Sequence, residues 1–152
     1  MKMKHAIPFA TAVAVLVFAP LALAGDREPT PERVARHCVQ RISRLTHAGT
    51  HEMAQICRRT VTIVEELVEA GQPDRAREAA EAGARRVTRA GQATVEQVRM
   101  TVEHCVRILQ RLEADPEIIR IVVRAGERSR NIVGEVQRAC LRAIANALGD
   151  NG

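Results

Sequence analysis

The sequence predicts an all-α protein made of three tandem helical hairpins, about six helices, stacked as a short α-solenoid or closed into a compact bundle behind an N-terminal signal peptide. Three observations predict this. No stretch alternates apolar and polar residues with the period of two that a half-buried strand needs. Pro31, Pro73 and Pro116 stand 42 and 43 residues apart, each followed by an acid (Glu32, Asp74, Glu117). Beyond Ala24 there is no Lys, Phe, Tyr or Trp, only a helix-forming mixture rich in Ala, Val, Leu, Ile, Arg and Glu. With 27% charged and 46% hydrophobic residues, the chain is too apolar for a disordered one.

The first element is an address. Two lysines in Met1–His5 precede an uncharged run from Ala6 to Ala24 that ends in the small-x-small triplet Ala22-Leu23-Ala24. A basic n-region, an apolar h-region and such an end make a secretory signal peptide cleaved before Gly25. The residue directly after Ala24 is Gly25 and not Cys, so the anchor of a lipid-modified lipoprotein is not available. The expected location is the periplasm or the exterior, and membrane contact is expected only through an uncleaved signal segment. Removing residues 1–24 takes both lysines, leaving 21 Arg against 18 Asp and Glu, a net charge of +3. That mild excess suits a protein partner or an anionic envelope component. Without Lys or aromatic rings there is no stacking platform for bases, so nucleic acid is not expected as a partner.

After a short tail (25–30), one domain spans 31–149, divided into units of about 31–72, 73–115 and 116–149. Proline at the first helical position, with a carboxylate beside it, starts each unit. Thr30 and Asp115 are ready N-caps, whereas Gln72 is a poor one. Shifted by 42 residues, Arg44-Leu45-Thr46-x-Ala48-Gly49 lies over Arg86-Val87-Thr88-x-Ala90-Gly91. Shifted by 43, Gly91 lies over Gly134. Breakers and apolar positions recurring in phase mark an internal repeat of the length of helical-repeat units, although the signature residues of those families are absent. Within each unit the glycine reads as the stop between two helices, giving about 31–46 and 50–70, 73–89 and 92–114, and 116–132 and 135–148.

Four cysteines, Cys38, Cys57, Cys105 and Cys140, follow the signal segment, an even number that in an exported chain points to disulfides. If the first hairpin turns at His47-Ala48, Cys38 and Cys57 are equidistant from the turn and pair, leaving Cys105 for Cys140.

The chemistry-bearing constellations are thin. His37-Cys38 and His104-Cys105 repeat a soft-ligand pair, and His47 and His51 flank Gly49, so His37, His47, His51 and His104 carry an alternative reading as metal ligands. His51-Glu52-Met53-Ala54-Gln55 nearly spells the zinc-protease helix but has Gln where the second imidazole belongs. Ser43 and Ser129 lie inside helical stretches with no glycine-rich elbow. Glu65, Glu66 and Glu69 make an acidic patch on a solvated face. No catalytic or cofactor-binding residue stands out, and no cofactor is implied. The expected function is that of an exported, disulfide-stapled, non-enzymatic module that binds another macromolecule or serves structurally. The alternative is a periplasmic metal-binding or redox-responsive protein using the His-Cys pairs.

Overall fold

Each of the three units is one long helix rather than a hairpin. The structure, a computed structural model, describes residues 28–149; residues 1–24, expected to form a signal peptide, lie outside the described residues. Within them stand α1 (Pro31–Glu69), α2 (Pro73–Arg111) and α3 (Pro116–Ala147), and about 90% of these residues are helical, with no strand. The prediction of six helices is therefore corrected to three, and the three tandem hairpins to one closed bundle in which each helix packs on both others. A 39-residue helix is about 58 Å long.

The helix starts fall where the prolines put them. Thr30 Oγ1 accepts from the Arg33 N–H at 3.4 Å, and an Asp115 carboxylate oxygen accepts from the Glu117 N–H at 2.8 Å. Gln72 caps α2 with no side-chain hydrogen bond to the backbone, its Oε1 instead accepting from the Arg75 guanidinium at 2.7 Å. The stops lie at the unit boundaries. After α1, the Gly71 N–H reaches the Val68 carbonyl and the Gln72 N–H the Leu67 carbonyl, with Gly71 at φ +69°. That is the Schellman arrangement, which needs a left-handed residue. After α2 the same pattern is built on Glu113, whose N–H reaches Gln110 while Ala114 reaches Leu109.

All three glycines expected to stop helices sit inside them, and two of the three, Gly49 and Gly91, do so in close contact with a neighbouring helix, as Gly83 does. A Cβ on Gly49 would overlap the Thr94 side chain of α2, and one on Gly83 would overlap Thr60 of α1. A Cβ on Gly91 would strike the Gln137 side chain of α3. Interior glycine costs about 1 kcal/mol relative to Ala, an amount that close contact along long helices outweighs. The apolar stripe runs through these glycines without losing phase. On α1, Cys38, Ile42, Thr46, Gly49, Met53, Thr60 and Val64 are all buried, and Cys38, Gly49 and Thr60 stand eleven residues apart. On α2, Gly83, Thr94 and Cys105 repeat the same interval. An eleven-residue repeat averages about 3.67 residues per turn, close enough to an ideal helix for long helices to lie side by side with little coiling.

These positions also fix the register. Cys38 and Cys105, Gly49 and Thr94, and Thr60 and Gly83 are each equidistant from the turn at Gly71-Gln72, so α1 and α2 are antiparallel along their whole length. Gly126 meets Val102 and Gly91 meets Gln137 across the α2–α3 pair, antiparallel as well. Helices α1 and α3 are therefore parallel.

The core divides into two clusters along the bundle. Ile42, Val98, Leu109 and Val122 centre one, and Met53, Val64, Val87 and Val133 the other. Aromatic side chains contribute to neither. Close backbone approach at glycines and alanines replaces the bulk that rings would supply. The buried Thr46, Thr60 and Thr94 hydroxyls each donate to the carbonyl four residues back, at 2.8 Å, so they are satisfied within their own helices.

Candidate functional site

Cys38 and Cys105 form a disulfide joining α1 to α2, with Cα atoms 6.1 Å apart. The expected Cys38–Cys57 bridge is thereby corrected. Both cysteines lie on one continuous helix, because the chain turns at Gly71 and not at His47. Equidistance from a turn was the right criterion, and applied to the real turn it selects Cys105. Cys57 and Cys140 are free thiols facing each other from α1 and α3, so the Cys105–Cys140 pairing is corrected with it.

The disulfide brings the two His-Cys pairs together, placing His37 and His104 on either side of one covalent bond. It also consumes both sulfurs as thiolates, which removes the soft ligands that the metal reading needs there. His47 and His51 occupy one exposed face of α1, with parallel rings 6.4 Å between centroids. Gln55, in the place of the missing second imidazole, hydrogen-bonds the His51 ring at 2.9 Å. Among the described residues no three His, Cys, Asp or Glu side chains converge on a point where a metal ion would sit. Glu65, Glu66 and Glu69 are exposed near the C-terminal end of α1. Ser43 and Ser129 line an open groove between α1 and α3 beside Thr46 and Arg128.

A different surface concentrates apolar and cationic groups. Between α1 and α2, over the Cys38–Cys105 half of the bundle, runs an open groove of about 490 Å³. Leu45 and Met100 give it an apolar lining, while Arg41, His104 and Arg107 stand along it. Met100 is 58% exposed, the most exposed of the large hydrophobic side chains in the described residues. The reason is phase. Thr94, Val98, Cys105 and Leu109 make the buried stripe of α2, and Met100 falls between its rows. That out-of-phase methionine was the sequence signal for the groove, and a search for reactive groups passes over it.

Elsewhere the surface carries ion pairs of ordinary helical spacing. Arg99 lies between Glu96 and Glu103, and its hydrogen bonds hold the Glu96 carboxyl below the usual range. Such exposed pairs organise the surface and contribute little to stability. Among the described residues no helix is long and apolar enough to cross a membrane.

Compared with known protein families, with curated proteins and with solved structures, the chain matches none of them.

Proposed function

We propose that this is an exported, disulfide-stapled helical module that performs no chemistry of its own and binds another protein. The observation that carries this reading is the α1–α2 groove, where the exposed Met100 thioether and Leu45 lie beside Arg41 and Arg107. A methionine adapts its shape to an apolar partner, and the Arg107 guanidinium can fork onto a carboxylate. The matching partner is a segment with acidic side chains next to apolar ones, laid along the groove as a helix lies between two others. The Cys38–Cys105 bond supports an oxidising compartment, in keeping with a signal segment removed before Gly25.

The test uses a synthetic helical peptide with Leu and Glu one turn apart as the probe. Its binding to the protein should weaken as salt is raised. Met100→Ser and Arg107→Gln should each reduce affinity about tenfold, the equivalent of ~1.4 kcal/mol, with melting temperature unchanged. Equal binding by wild type and both variants would sink the groove as the contact surface. Binding to phosphatidylglycerol vesicles in preference to the peptide would replace the protein partner by a lipid surface. The export half is tested separately, since the mature protein should begin at Gly25 by mass spectrometry.

A further inference from the structure

Cys57 and Cys140 meet where α1 and α3 run side by side. The Cys57 thiol donates to the Cys140 carbonyl at 3.8 Å, and the Cys140 thiol donates to the Met53 carbonyl, also at 3.8 Å. Cys57 also lies close enough to Cys140 to act on its thiol directly. Their surroundings are apolar: Cys140 belongs to the core cluster of Met53, Val64, Val133 and Ile144, with Cys57 packed against it. Burial and the neighbouring sulfur push the Cys140 thiol up to about 11. A pair of thiolates holding a soft cation would place negative charge in this setting, and among the described residues no third His, Cys, Asp or Glu joins them. A disulfide is neutral and needs no counter-ion.

We infer that Cys57 and Cys140 are the site of a second covalent cross-link, a disulfide tying α1 to α3. The inference rests on this contact and is independent of the α1–α2 groove. With it, both of α1's neighbours are fastened to α1, α2 through Cys38 in the half of the bundle near the α1 N-terminus and α3 through Cys57 in the other half.

The reaction is exchange with an external disulfide, either of a small thiol or of an oxidoreductase. Cys57 is half-buried and Cys140 buried, so Cys57 is the accessible attacker. After loss of its proton, Cys57 Sγ attacks one sulfur of the donor disulfide and expels the other as a thiolate. The Cys140 thiol then gives up its proton, and its sulfur attacks Cys57 Sγ and displaces the second donor thiolate. Two protons and two electrons leave the protein, and the donor becomes two thiols.

The experiment starts from fully reduced, folded protein incubated with oxidised glutathione, acid-quenched, alkylated under denaturing conditions and digested with trypsin without reductant. The peptide of residues 45–58 should be recovered joined to that of residues 139–142, beside a joined pair carrying Cys38 and Cys105. The Cys38→Ser/Cys105→Ser double variant, if folded, should form the same 57–140 link and melt at a higher temperature once oxidised. Recovery of Cys57 and Cys140 as alkylated or glutathione-capped residues, while Cys38 and Cys105 have joined, would overturn the inference. So would links from Cys57 to any cysteine other than Cys140. Wild-type mapping decides even if the double variant does not fold.

Discussion

Gly49 of α1 faces Thr94 of α2 so closely that the space a Cβ would take at residue 49 is already filled by the threonine side chain. Gly83 faces Thr60 in the same way with the helices exchanged, one register step further along the bundle. The pairing is reciprocal, small against branched, and it sets the distance between α1 and α2.

Gly49→Ala should therefore destabilise the fold. Helix propensity favours Ala by about 1 kcal/mol, but forcing a methyl into occupied space costs ~1–3 kcal/mol. A net loss should show as a lower urea midpoint. Adding Thr94→Ala to Gly49→Ala removes the hydroxyl and methyl that the new Cβ meets, and should recover part of the loss. Full additivity of the two substitutions would show that the side chains do not meet.

Gly134 provides the contrast. A Cβ there meets only the Arg138 guanidinium end at 3.4 Å, a flexible group that can swing away. Gly134→Ala should stabilise α3 by up to ~1 kcal/mol, raising the melting temperature by a few degrees. Two substitutions of the same kind at repeat-equivalent positions would then have opposite signs.

The 42-residue period, the all-helical class and the helix starts at Pro31, Pro73 and Pro116 were legible because proline and its neighbouring acid act locally. The number of helices was not, because a glycine marks either a stop or a close approach, and only the partner helix distinguishes them. Yet a signal against a stop was present in the spacing. Ile42, Thr46, Gly49 and Met53 keep a four-three-four rhythm through the glycine, and Val87, Gly91, Thr94 and Val98 do the same. A chain reversal would have reset that phase. The cysteine pairing failed for the same reason, since it depended on where the turn was placed. The groove was illegible in another sense: Met100 and Arg107 become one surface only when Leu45 and Arg41 are set opposite them by the α1–α2 register.

Glu113 holds a left-handed backbone at φ 52°, the position that Gly71 occupies after α1. A side chain there costs roughly 1–2 kcal/mol that glycine does not incur. Glu113→Gly should raise stability by about 1 kcal/mol, less the greater freedom glycine has in the unfolded chain. A drop in melting temperature would show that the carboxylate does something for the fold that outweighs the strain.

The Cys38–Cys105 bond spans 67 residues of sequence, a long loop to close in the unfolded chain. Restricting that loop is worth about 4 kcal/mol in the chain-entropy account. Replacing both cysteines by Ala should lower the melting temperature on the order of 10–20 °C. The loss should appear mostly as a change in midpoint, with far-ultraviolet circular dichroism at 20 °C still showing three intact helices.

The reduced protein should lose stability in alkaline solution in a window set by Cys140. An ordinary thiol loses its proton near pH ~8.5, whereas folding raises Cys140 to about 11. Below the ordinary value both folded and unfolded chains keep the proton, and the contribution is fully present. Between the two values the unfolded chain has released its proton and the folded chain retains it, so rising pH favours unfolding. Above about 11 both forms ionise and the decline levels off. Urea midpoints of reduced protein measured from pH 8 to 11 should therefore fall more steeply than those of Cys140→Ala, which lacks the group. Oxidation separates this effect from the general cost of high pH. Once Cys57 and Cys140 are joined neither titrates, and the wild-type curve should become as shallow as the variant's.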